Sequence, residues 1–200
     1  MADTIKNLFE GNVPTTSSKV YTVPTNKYAV VKSAIICNYS ASDALFTLTI
    51  GGSRIAQNHV IKPGATLVLS ELDIPIIQGE EIYISSNISG LSIFLTGFER
   101  NYEPAGYPFV KVTATSADSI PSNDFDSIIR SIIICNGHGS VSSEVSMNTG
   151  WYLISKKVIK ARDTLIVPLP KVFLPKGRPT NFISTGTNSW VTLILEKAVQ

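Results

Sequence analysis

Charge is scarce in this 200-residue chain: Asp, Glu, Lys and Arg make up 16% of it, against about 25% in an average soluble domain. Histidine, cysteine, tryptophan and methionine occur twice each. Low charge together with 44% hydrophobic residues excludes intrinsic disorder, which needs the opposite balance. Thirteen glycines and eleven prolines are too few for a low-complexity or collagen-like chain. A net charge of +2 gives no global pull toward nucleic acid or membrane. The two histidines and two cysteines are too far apart for zinc spacing. No Gly-x-Ser-x-Gly elbow, no phosphate-cradling Gly-x-x-x-x-Gly-Lys and no His-Glu-x-x-His occurs. No run approaches the 18 or so apolar residues of a membrane span. The start, Met1-Ala-Asp-Thr-Ile-Lys6, puts Asp3 and Lys6 ahead of any apolar stretch, unlike a secretory signal. The expectation is therefore a protein made in a reducing compartment, with no disulfide, cofactor, metal or membrane.

What the chain does contain is a repeat of itself. Val31-Lys-Ser-Ala-Ile-Ile-Cys-Asn38 matches Ile129-Arg-Ser-Ile-Ile-Ile-Cys-Asn136 at an offset of 98 residues. The same offset brings Val60-Ile-Lys onto Val158-Ile-Lys, Thr66-Leu onto Thr164-Leu, Gly79 onto Gly177 and Leu95 onto Leu193. Val30–Tyr102 laid ungapped on Ile128–Gln200 gives 15 identities in 73 pairs. Such self-similarity is the mark of one unit used twice. The division expected is an N-terminal arm at 1–17, a first repeat at 18–100, a linker at 101–108 and a second repeat at 109–200. Two prolines and a glycine between Asn101 and Pro108 suit a short connector.

Inside each copy the periodicity is that of strands. Phe46, Leu48 and Ile50 alternate with Thr47 and Thr49 and stop at Gly51-Gly52, a hairpin signal. Ile82 and Ile84, and later Val191, Leu193 and Leu195, behave alike. Turn residues recur at Lys62-Pro-Gly64, Gln78-Gly79, Ser89-Gly90 and Lys176-Gly177. Short strands with turns every 8–12 residues predict an all-β chain of two tandem antiparallel β-sandwiches, jelly-roll or Ig-like. The Ile-Ile-Cys-Asn strand is apolar on both faces, which predicts a central strand or one covered by a neighbour.

Candidate chemistry is thin. Cys37 and Cys135 sit in apolar strands with no flanking cation to activate them, which favours core packing over a reactive thiol. His138, three residues after Cys135, allows a Cys/His pair on paper but lies in a Gly-His-Gly turn. Asp118, Asp124 and Asp126 cluster without a calcium-loop pattern. Charge is uneven: 7 basic and 8 acidic residues up to Arg100, then 10 and 7. The basic excess lies in Lys156, Lys157, Lys160, Arg162, Lys171, Lys176 and Arg178, with Asp163 as the one acid among them. A solvated face, a protein contact and a nucleic-acid contact are the possible readings, in that order; Phe173 alone makes no base-stacking platform. Trp151, Tyr152 and Trp190 offer a carbohydrate-stacking surface or, more commonly for such rings, buried packing.

The first copy also reads Tyr21-Thr-Val-Pro24, Lys27, Ala29-Val-Val-Lys-Ser33, Cys37-Asn38, Ile61-Lys-Pro-Gly64 and Gln78-Gly-Glu80. In this it resembles the small β-sandwich modules of tailed-bacteriophage structural proteins. The likeness covers copy one and reaches copy two through the repeat, where Tyr21 and Lys27 have no equivalents and Pro63-Gly64 becomes Ala161-Arg162. It implies a non-enzymatic virion protein that binds capsid, neck or tail subunits as a decoration or accessory protein. The implied partners are other virion proteins and further copies of the chain in a symmetric array, not nucleic acid. A tail-tip or fibre module that recognises a host glycan or protein is the alternative.

Overall fold

In a computed structural model, the described residues are 5–101, 108–115, 119–120 and 124–198. They form strands and turns, and among them there is no helix. The chain divides into two compact units, Met1–Tyr107 and Pro108–Gln200. An all-β, antiparallel chain is what the alternation predicts, and it is built as four small sheets, two in each unit.

Unit 1 contains β1 (Lys6–Asn12), β2 (Ser18–Thr22), β3 (Lys27–Asn38), β4 (Ala44–Ile50), β5 (Ser53–Ile61), β6 (Thr66–Leu69), β7 (Ile74–Ile77), β8 (Glu81–Ser86) and β9 (Leu91–Asn101). One sheet runs β1-β9-β3-β6, with β7 also paired to β3; the other runs β2-β8-β4-β5. Unit 2 contains β10 (Phe109–Thr115), β11 (Ser119–Ile120), β12 (Ser127–Asn136), β13 (Ser143–Asn148), β14 (Tyr152–Ile159), β15 (Thr164–Leu174), β16 (Thr180–Ser184) and β17 (Ser189–Lys197). Its sheets run β10-β17-β12-β15 and β11-β16-β13-β14. Replacing each strand of unit 1 by its counterpart gives the same order.

Local chemistry explains the strands. Ala44, Phe46, Leu48 and Ile50 are fully buried while the residues between them are half-exposed, the period of two that a half-buried strand requires. Gly51 and Gly52 both have positive φ, 51° and 79°, as the two-residue turn matching strand twist demands. In unit 2 one core cluster draws on both sheets, with Ile132, Ile134 and Leu193 from one and Val145, Met147 and Phe182 from the other.

The repeat extends to register. Ala34 pairs with Leu95 and Ile36 with Ile93; 98 residues on, Ile132 pairs with Leu193 and Ile134 with Val191. The ladder shifts between Val31 and Ser33, and again between Ile129 and Ser131, so Lys32 and Arg130 occupy equivalent bulges. Positive-φ positions also recur: Asn58 and Lys156, Gly64 and Arg162, Asp73 and Lys171, Gly79 and Gly177.

In one place the ungapped offset fails. It sets Phe46 against Glu144, but Phe46 lies opposite Ser86 and Val145 lies opposite Ser184. The loop before β13 holds one residue more than the loop before β4, and the turn after β13 takes the shift back. A one-residue slip in a strand exchanges its faces, and Glu144 would otherwise stand where Phe46 is buried.

The segment expected as an N-terminal arm is not one over its described part. Lys6–Asn12 form β1, paired along β9, because Leu8 and Val13 supply buried apolar contacts at 8% and 3% exposure. Of the expected linker, Asn101 ends β9, and residues 102–107 lie outside the described residues. The two-faced apolar strand differs between units. In β12 both faces are buried, whereas in β3 Ile35 is 42% exposed and Cys37 half-buried.

Candidate functional site

Strands β12 and β15 pair from Cys135↔Thr164 to Ser127↔Leu174. That gives unit 2 two ends, about 26 Å apart at the usual rise per residue. Lys160 and Arg162 lie in the turn at the Cys135 end, between β14 and β15. Lys176 and Arg178 lie beyond Leu174 at the other end, where the Lys176 amide donates to Asp126 Oδ1 at 2.8 Å. Lys156 and Lys157 are on β14, and Lys171 is on β15. The basic run is therefore continuous in sequence but spread along the unit. Lys156, Lys157, Lys160, Arg162 and Lys171 share one flank, since β14 and β15 are the edge strands of their sheets and follow one another in the chain.

The aromatic candidates separate too. Trp151 and Tyr152 are 82% and 66% exposed, against the expectation of burial for such rings; the tight turn that links β13 to β14 leaves them no core to enter. Arg178 joins them, its Nε donating to the Thr149 carbonyl at 2.6 Å. Trp190 pairs with Cys135 and Thr115 at the opposite end and is half-buried. The three rings line no common groove.

His138 does not act as a base toward Cys135. The Cys135 side chain is buried, and His138 spends Nδ1 as acceptor for the backbone amides of Ser140 and Val141, at 3.2 and 3.0 Å. His138 organises its own turn. His59 lies on β5 in the other unit. Asp118 lies outside the described residues, and Asp124 is exposed.

Two features escape sequence reading. The Asn that ends each Ile-Ile-Cys-Asn motif is fully buried and ties loops together. Asn38 Nδ2 donates to the Ser42 and Ile61 carbonyls at 2.9 and 2.8 Å, while its Oδ1 accepts from the Ser40 amide. Asn136 Nδ2 donates to the Val141, Ile159 and Lys160 carbonyls, and its Oδ1 accepts from the His138 amide. The identity in the repeat was visible; its work as a buried hub needed the fold.

The second is a clasp in unit 1. Glu99 on β9 takes Lys6 at 2.6 Å, the Tyr21 hydroxyl at 2.7 Å and Lys27 at 3.1 Å, joining β1, β2, β3 and β9. Burial alone would raise the Glu99 carboxyl; hydrogen bonds from Lys6, Tyr21 and Lys27 outweigh it and hold it down at about 2. Burial first, and then the Glu99 carboxylate, push the Tyr21 phenol well above its ordinary value. In unit 2 the positions 98 residues on are Phe125 and Lys197, and the Lys197 ammonium sits 5.3 Å from the Phe125 ring centre.

No known protein family and no curated protein matches the sequence. Among solved structures the chain is similar to the major capsid protein P2 of bacteriophage PM2, with 8% identity, a TM-score of 0.35 and coverage of 100% of this chain and 99% of that one. It is also similar to a cupin 2 conserved barrel domain protein from Leptotrichia buccalis, at 11% identity, TM-score 0.22 and coverage of 92% and 88%. A third is a conserved protein of unknown function from Pseudomonas aeruginosa PAO1, at 9% identity, TM-score 0.29 and coverage of 98% and 100%. All three scores lie below 0.5, under which two chains need share no fold.

Proposed function

We propose that this chain is a non-enzymatic structural protein of a tailed-bacteriophage virion, and that each unit is a jelly-roll sandwich. The observation that carries the reading is strand order. Both units interleave their strands as an eight-stranded jelly roll does, four to a sheet, with β6 and β7 of unit 1 together holding the place of β15 in unit 2. That architecture serves viral capsids, lectins and cupins, and here it occurs twice in one chain. Low charge and exposed apolar side chains fit a surface that works by contact. In this reading the protein decorates the head or completes the neck or tail, docked on capsid or tail subunits and repeated by particle symmetry. The test is quantitative mass spectrometry of purified particles. A copy number in the hundreds places it on the head or tail shaft, and six or twelve places it at the neck or baseplate. Absence from the particle overturns the reading.

A second reading rests on Trp151 and Tyr152, exposed beside Arg178 at one end of unit 2. A tail-tip module would stack a host sugar on such rings. A glycan array tests it: binding lost in Trp151→Ala supports it, and no binding by the intact chain refutes it.

A further inference from the structure

Backbone strain singles out part of the basic surface. Among the described residues of unit 2, the three non-glycine residues with positive φ are Lys156 at 47°, Arg162 at 61° and Lys171 at 50°. All three belong to the basic run. Their counterparts in unit 1 are Asn58 at 50°, Gly64 at 70° and Asp73 at 49°. The left-handed region suits glycine, and suits Asn and Asp better than other residues, whose β-carbon crowds the following carbonyl. Unit 1 therefore fills these positions with the residues the backbone prefers, and unit 2 fills the same positions with cations. Strain retained against an available alternative points to a role for the side chain.

The edge strands that carry them also expose apolar groups, each on the outer side of its own sheet: Val158 on β14 is 58% exposed and Phe173 on β15 is 57% exposed. Among the described residues no carboxylate pairs with Lys156, Lys157, Lys160 or Lys171. A complementary surface exists on unit 1. In one ladder row across its sheet, Glu10 pairs with Phe94, Phe94 with Ile35 and Ile35 with Val68. Phe94, Ile35 and Val68 are 39%, 42% and 58% exposed, and an open hollow lies over Glu10, Ile35, Cys37 and Phe94. Glu10 bonds Asn7 and meets no cation among the described residues. Charge divides the same way: residues 1–107 hold 7 basic and 9 acidic residues, net −2, and residues 108–200 hold 10 and 6, net +4.

We propose that the basic flank of unit 2, with Lys156, Arg162 and Lys171, docks on the outer sheet face of unit 1 in a second copy of this chain. The contact is head-to-tail, so copies close into a ring or extend as a filament. Exposed Val158 and Phe173 on these edge strands, and the absence of an aromatic stacking row among the described residues, favour a protein over nucleic acid as the partner. The proposal deepens the assembly function above by naming the surface, and it rests on that reading only for its biological setting.

The test is sedimentation velocity of the full chain from micromolar to millimolar concentration, at low and high salt. The deciding variant carries unit 1's residues, Lys156→Asn, Arg162→Gly and Lys171→Asp. It relieves strain, so it folds and melts at a higher temperature than the parent. Expected is reversible, salt-sensitive self-association of the parent, weakened about tenfold or more in the variant, and lost in Phe94→Glu as well. A parent that stays monomeric throughout overturns the proposal, as does association unchanged in either variant. Binding of an oligonucleotide that the triple variant abolishes, with no self-association, overturns it in favour of nucleic acid. Particle content, measured separately, reports on the virion function and not on this contact.

Discussion

Units 1 and 2 share a framework, matched residue for residue apart from the one-residue slip at β13, and diverge on what they hang from it. The shared part is strand order, ladder register, the bulge at Lys32 and Arg130, the buried Asn38 and Asn136, and the left-handed backbone positions. The divergent part is charge and closure. Unit 1 fastens four strands through half-buried Glu99, where unit 2 has a Lys197–Phe125 contact. Unit 2 places Ser143 and Ser189 hydroxyls 3.0 Å apart where unit 1 buries Ala44 and Leu91. The difference teaches which residues a doubled fold needs for folding and which it is at liberty to change. Both tryptophans lie in unit 2, so tryptophan fluorescence follows that unit alone and circular dichroism follows both.

The largest effect tests what is shared. Asn38→Ala and Asn136→Ala each strand buried backbone groups, and each costs its own unit about 2–4 kcal/mol in urea unfolding. A loss in one variant with none in the other would break the equivalence. Next comes a difference. Glu99→Gln destabilises unit 1 by up to about 3 kcal/mol, the value of holding a carboxyl at about 2 rather than 4.5. Because the folded value is the lower one, this stabilisation is complete above about pH 4.5 and fades as pH falls toward 2. Acid unfolding of unit 1, followed by circular dichroism, flattens over that window in the variant, and the tryptophan signal does not change. Smaller is Lys197→Ala, which removes the ring contact and costs unit 2 about 0.5–1 kcal/mol. Smallest is Arg162→Gly, which gains unit 2 up to about 1 kcal/mol by releasing a left-handed strain that Gly64 does not carry.

Much of this was legible in advance. Phe46, Leu48 and Ile50 declare β4 by alternation, and Gly51-Gly52 its turn. The offset of 98 predicts the pairing of Ile132 with Leu193 from that of Ala34 with Leu95. The slip at β13 was not legible, because no identity falls between Ser140 and Gly150 to reveal a one-residue insertion. Closeness in sequence also misled. Lys160 and Lys176 belong to one basic run, yet β15 carries the chain the length of the sheet between them. Glu99 is at least 72 residues from Lys6, Tyr21 and Lys27 in sequence and meets them only because β1, β2, β3 and β9 come together. The strain at Lys156, Arg162 and Lys171 is a backbone property that basic side chains do not advertise.

Amide hydrogen exchange, resolved residue by residue in the full chain, decides whether one framework is used twice. Expected is matched protection at an offset of 98 along β3 and β12 and along β9 and β17, including Asn38, bonded to the Ala65 carbonyl, and Asn136, bonded to that of Asp163. Along β4 and β13 the expected match is at 99. Protection matched at 98 through β13, or unmatched between β3 and β12, would contradict a framework used twice.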